Sequence, residues 1–138
     1  MSFYASYIGQ FAGHGNKAGD RNGLRAPCGV DTGGLGIGQE AISVGVMSAL
    51  GPADTIASTH RGHGHCIAKG VDVKGMMKEI WGSREGTCKG KGGSMHIADV
   101  DLGMLGANGI VGAGSPIGVG AALAAKLDGK GNVAITFS

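Results

Sequence analysis

From Gly38 onward the apolar positions fall into a regular order that the preceding residues lack. In QEAISVGVMSAL, Ile42, Val46, Ala49 and Leu50 stand at i, i+4, i+7 and i+8, the spacing of one helical face, and Gly51-Pro52 closes it. TIAS, residues Thr55–Ser58, is short and apolar and predicts a strand. VKGMMKEIW returns to the helical period. Val73, Met76, Met77, Ile80 and Trp81 share a face, with Asp72 placed to cap the start and Gly82 to stop the end. The methionine pair at this spacing reads as core packing rather than a binding surface. Residues 82–114 are dense in glycine and predict mostly loop. SPIGVGAALAAKL then predicts a helix with Ser115 as N-cap and Pro116 at the first helical position, where a missing N–H costs nothing. Gly118, Gly120 and the alanines give it a thin face, and Asp128-Gly129 ends it. NVAITFS reads as a buried-type strand running to the last residue.

Helices alternating with short apolar strands predict an α/β domain, a small parallel sheet flanked by helices. Two unequal parts follow. Residues 38–138 carry the α/β pattern, whereas residues 1–37 are rich in turn-formers without sustained period and predict an irregular or disordered segment. Its opening, MSFYASYIGQFA, fits a short helix or a strand equally.

Composition narrows the class. A chain of 138 residues, 42% hydrophobic, suits one domain with a modest core. A net charge of +2 without any Lys/Arg run argues against nucleic acid and membrane surfaces as partners. Three cysteines, widely spaced and without C-x-x-C, make a poor disulfide framework and fit a reducing cytosol. No apolar run approaches the roughly 20 residues that span a bilayer, so a cytoplasmic protein is expected. Thirty glycines without a collagen period imply tight turns and places of close backbone approach.

The densest chemistry lies in STHRGHGH, residues 58–65, with His60, His63 and His65 around Arg61. Zinc is one reading, but H-x-x-H-x-H with no partner cysteine pair does not match structural-site spacings. A phosphate site is another: the Arg61 fork can bond two oxygens at once, Gly62 and Gly64 let backbone come close, and HCIAKG predicts a helix whose free N–H groups face an anion. A solvated basic loop is the third. The usual nucleotide signatures fail: GTCKGKGGS misses the P-loop spacing, and GIGQEA has no strand before it. GANGIVGAG, residues 106–114, sets Ile110 and Val111 between glycines, an arrangement that presents backbone groups and apolar side chains to a flat ligand.

Taken together, GQEAISVGVMSAL, STHRGHGHCIAKGVD, GKGGSMHIAD and GANGIVGAG, in this order and spacing, resemble the α subunit of thiamine-diphosphate-dependent 2-oxo-acid dehydrogenase first components. The likeness is to bacterial acetoin dehydrogenase and pyruvate dehydrogenase α subunits, over about residues 38–138. It implies part of a thiamine-diphosphate-binding fold, cut short, in an oxidoreductase that works as a heterotetramer with a β subunit. Such an enzyme cleaves acetoin or decarboxylates pyruvate or another small 2-oxo acid, and passes the two-carbon unit to a lipoyl acyltransferase. By the same resemblance His60 and Arg61 contact the cofactor diphosphate, His63 is the active-site histidine, and the backbone of Gly109 and Val111 grips the aminopyrimidine. Ser94 and His96 lie in a family loop near the site.

Two departures qualify that expectation. Members of the family carry His-x-Tyr shortly before Gly-Gln-Glu, where this chain has Gly34 and Gly36. They also continue into Gly-Asp-Gly and a downstream Asn that hold Mg²⁺, so the Mg²⁺ ligands are expected beyond residue 138. The alternative is a non-catalytic remnant that serves at most as a subunit-pairing module.

Overall fold

The computed structural model describes residues 39–138. The readings made for residues 1–37, including Gly34 and Gly36, lie outside the described residues. The rest forms a three-stranded, all-parallel sheet with four helices. Their order is α1 (Glu40–Ser48), β1 (Thr55–Thr59), α2 (His63–Lys69), α3 (Val73–Ile80), β2 (Met104–Asn108), α4 (Gly114–Asp128) and β3 (Ala134–Thr136). The strands lie in the order β2-β1-β3. In register, Ala57 faces Gly106 on one side and Thr136 on the other. The α/β expectation, with a small parallel sheet flanked by helices, is therefore what the chain builds.

The connections run in opposite directions along the sheet. Helices α2 and α3 carry the chain from β1 to β2 on one edge, and α4 carries it back across β1 to β3 on the other. Parallel crossovers are right-handed, so opposite directions put these helices on opposite faces. On one face Ile56, Cys66, Val71, Met76, Ile97, Met104 and Ala107 form the buried core. On the other, α4 packs on β1 and β3. At the foot of the sheet the Asp54 carboxylate accepts the N–H groups of Val133 and Gly51, each at 2.7 Å. Those two bonds hold its carboxyl below the usual range and fix where β3 enters.

Several local expectations need correction. In α1 the buried side chain is Ser43, while Ile42 is 53% exposed and Ala49 also faces out. Helix α1 meets α2, and an ideal Cβ at Gly64 would lie 3.0 Å from Ser43 Oγ, so that contact takes a small residue rather than the apolar stripe. In α3 the Asp72 cap is present, its carboxylate accepting from Lys74 N and Gly75 N, and Met76 is core as expected. Trp81 is instead 75% exposed, because it stands at the C-cap beyond the last helical residue. Residues 82–114 contain β2, which glycine-based reasoning passed over; MLGAN offers no run of β-branched residues, and its pairing with β1 makes it a strand. The final helix begins at Gly114 with Ala113 at the cap position, so Ser115 does not cap it and Pro116 stands at the third helical position rather than the first. Strand β3 covers Ala134–Thr136 and is half-buried rather than buried throughout.

The thin face of α4 is used at one place. Gly118 is buried, and an ideal Cβ there would fall 1.8 Å from Thr136 Oγ1, whereas one at Gly120 would meet nothing within 4 Å. Gly118→Ala is expected to destabilise the chain by about 1–3 kcal/mol through overpacking. Gly120→Ala is expected to stabilise it by about 0.5–1 kcal/mol through backbone entropy. Urea denaturation of the two variants checks this, and equal midpoints would contradict the close approach of α4 to β3.

Candidate functional site

A parallel sheet leaves a crevice at the carboxyl ends of its strands, between neighbours whose following connections cross to opposite faces. Here those neighbours are β1, followed by α2, and β2, followed by α4. A cavity of about 90 Å³ opens there, lined by Ser58, Thr59 and His60 after β1, Asn108, Ile110 and Val111 after β2, and Phe137 after β3. His60 and Val111, some fifty residues apart in sequence, thus line one cavity.

The β1–α2 turn sorts the three histidines. His60 lies in the turn and faces the cavity, and the Arg61 side chain is exposed. His63 opens α2, with its Nε2 3.0 Å from Ser94 Oγ. His65, one helical position beyond Gly64, is buried. Its Nδ1 lies 2.6 Å from Ser58 Oγ and its ring stacks on Phe137 with centroids 3.8 Å apart. Desolvation in that slot pushes the His65 pKa below its ordinary value of 6.5. Gly62 does not leave room for an anion: a Cβ there would crowd Ser58 Oγ, Ala107 Cβ and the Thr59 carbonyl at 2.9–3.0 Å, so this glycine serves strand-to-helix packing.

The loop after β2 supplies the other wall. Asn108 Oδ1 accepts the Ile110 N–H at 2.9 Å, turning the chain so that Val111 projects 94% exposed at the rim. The Gly109 N–H donates to His96 Nε2 at 3.4 Å. Ser94 and His96, on one glycine-rich loop, therefore contact His63 and Gly109 in turn. Cys66, buried in the core with its thiol pushed up to about 12 by desolvation, takes no part as a thiolate. Among the described residues no group of three His, Cys, Asp or Glu could hold a metal ion, which leaves the zinc reading of the histidine cluster without a ligand set. Among them, too, no helix is long and apolar enough to cross a membrane.

One residue of consequence escaped sequence reasoning. Glu79, in an amphipathic helix where a glutamate ordinarily faces water, is fully buried. Its Oε2 accepts from Cys88 N and Gly90 N, and its Oε1 from Gly92 N and Gly93 N, at 2.7–3.1 Å. Burial pushes its carboxyl up, but the four N–H groups outweigh that and hold it below the usual range. The signal was in GTCKGKGGS after all. That stretch wraps an anion as a phosphate loop does, but the anion is the chain's own carboxylate.

The family model described as dehydrogenase E1 component matches residues 31–138. The chain belongs to the dehydrogenase E1 component family. Over 100 residues it is 67% identical to the α subunit of acetoin:2,6-dichlorophenolindophenol oxidoreductase of Cupriavidus necator and 62% identical to that of Bacillus subtilis. The pyruvate dehydrogenase E1 component α subunit of Rhizobium meliloti is 43% identical over 103 residues. These alignments take in 72%, 72% and 75% of this chain and 30% of each relative, so the chain spans about a third or less of their length.

The histidine sorting has a measurable consequence. With the folded-state pKa of His65 depressed, the unfolded chain binds that proton more readily, so the stability linked to it is full above 6.5 and declines as pH falls below it. Urea unfolding at a series of pH values below 6.5 should show a shallower decline in His65→Gln than in the wild type. Identical slopes would mean that His65 is not the buried neutral group.

Proposed function

We propose that the chain contributes the diphosphate-binding half of the α subunit of a thiamine-diphosphate-dependent dehydrogenase complex. In this reading it acts in the cytoplasm with a β subunit, cleaves acetoin or decarboxylates pyruvate, and passes the two-carbon unit to a lipoyl acyltransferase. The observation that carries it is the convergence of His60 and Val111, from separate motifs, on one cavity at the carboxyl ends of the strands. The higher identity to acetoin oxidoreductase subunits, 67% and 62% against 43%, favours acetoin.

The residues present suit that cofactor in part. Ile110, Val111 and Phe137 offer apolar surface, and Ser58, Thr59, His60 and Asn108 offer polar groups, in a cavity of about 90 Å³. Complete small-molecule pockets are roughly 300–1,000 Å³, so this wall would hold part of the molecule. When bound, thiamine diphosphate would supply the carbon nucleophile and the electron sink that let the bond beside a carbonyl break. The Arg61 guanidinium would bond two diphosphate oxygens at once, and His60 would add a donor from the cavity wall. Val111 would press its side chain against the cofactor. Gly109 would offer backbone to the aminopyrimidine, although its N–H now donates to His96, so contact through that amide requires the imidazole to turn aside. His63, held through Nε2 by Ser94, would move the proton. Mg²⁺ would take its ligands from outside the described residues, and none of its chemistry is assigned to them.

Calorimetric titration of the full chain with thiamine diphosphate and Mg²⁺ tests cofactor binding, and acetoin-dependent reduction of 2,6-dichlorophenolindophenol after pairing with a β subunit tests activity. Arg61→Ala should weaken cofactor binding by about tenfold or more, since a charge-assisted bond contributes roughly 1.5–3 kcal/mol. His63→Ala should lower kcat by about a hundredfold to ten-thousandfold and leave cofactor affinity unchanged. No binding by the wild-type chain would favour the subunit-pairing module, and no dye reduction by the reconstituted pair would overturn the enzymatic reading.

A further inference from the structure

The loop that brings Ser94 and His96 to the site has no regular secondary structure to shape it. From Gly86 to Gly93 it curls around the Glu79 carboxylate. Lys89, Gly90 and Gly93 take positive φ values of 58°, 74° and 61°, which turn successive N–H groups to the same side and build a concavity that suits an anion. Both carboxylate oxygens are used, each by two N–H groups. The last donor, Gly93, immediately precedes Ser94, whose Oγ lies 3.0 Å from His63 Nε2. Two residues further on, His96 accepts the Gly109 N–H, and its own carbonyl accepts the Cys88 thiol at 3.3 Å.

We propose that Glu79 is a positioning residue for His63: by gathering the N–H groups of the glycine loop, it sets Ser94 where the hydroxyl fixes the His63 ring. The inference rests on the reading of His63 as the proton-moving group. Glu79 does not line the cavity, and it acts through four backbone N–H groups and one side chain. An ionised carboxylate is the group that can accept all four. A glutamine accepts at one oxygen and would turn its own NH₂ donors towards two of the N–H groups, so one side of the loop is released.

The test compares wild type, Glu79→Gln and Ser94→Ala in the full chain, with NMR of isotope-labelled histidine side chains and of the Ile56 and Met104 methyl groups. In E79Q the His63 signals should move to the positions seen in S94A while the core methyl signals stay in place. After pairing with the β subunit, kcat for acetoin-dependent dye reduction should fall about tenfold with KM unchanged, the scale seen when a supporting partner of a working side chain is lost. Where E79Q does not fold, Glu79→Asp, which keeps the charge but not the reach, carries the same readouts. Unchanged His63 signals, core methyl signals lost together with them, or an unfolded E79D would each overturn the inference. An inactive wild-type pair would overturn the functional reading alone, because the NMR comparison still decides what places His63.

Discussion

Strand β1 is hydrogen-bonded along both edges, to β2 on one side and β3 on the other, and much of the chain hangs on that pairing. A central parallel strand must be apolar on both faces, and Ile56, Ala57 and Ser58 are all buried. Ser58 is the polar member of that run, and it is satisfied by His65 rather than left to its own backbone. The same five residues aim the chain: where β1 ends, Thr59 and His60 reach the cavity and Arg61 reaches solvent. A slip of one residue in this strand would invert its faces and move His60 away from Val111.

The glycine loop is held by a different balance. Burying an ionised carboxylate costs several kcal/mol even after relaxation. Four charge-assisted hydrogen bonds at roughly 1.5–3 kcal/mol each are of a size to offset it. The net direction agrees, since the Glu79 carboxyl is held below its usual range despite complete burial. The charge and the loop therefore depend on one another: without the N–H groups the carboxylate would not stay ionised there, and without the carboxylate those N–H groups would have lost water for nothing.

What the sequence showed and what it hid divide along physical lines. Asp72 was legible as a cap because an N-cap is a local bond between neighbours. The helices were legible because their period is local too, and the fold class followed from their alternation with strands. β2 was not, because MLGAN has weak strand preference and owes its conformation to β1, nearly fifty residues earlier. Ile42, exposed where Ser43 is buried, and Trp81 misled for a related reason. Periodicity says which residues share a face, whereas burial depends on what covers that face, here Gly64 in one case and solvent in the other. Glu79 is the extreme case, since its partners lie nine to fourteen residues ahead in a loop whose shape they create together.

The histidine cluster was half legible, and the missing half is a matter of angle. Residues two apart on an α-helix point about 200° apart, so His63 and His65 cannot both face the same side of α2. Once His65 turns inward onto Ser58 and Phe137, His63 has to turn outward, towards Ser94. The inward ring is desolvated and kept neutral by burial, a poor state for a group that must take up and release a proton. The outward ring retains a hydroxyl partner at a half-buried position. Three histidines in six residues therefore serve three roles, one on the cavity wall, one in the core and one beside the loop that Glu79 shapes. The helix period, more than the identity of the side chains, assigns them.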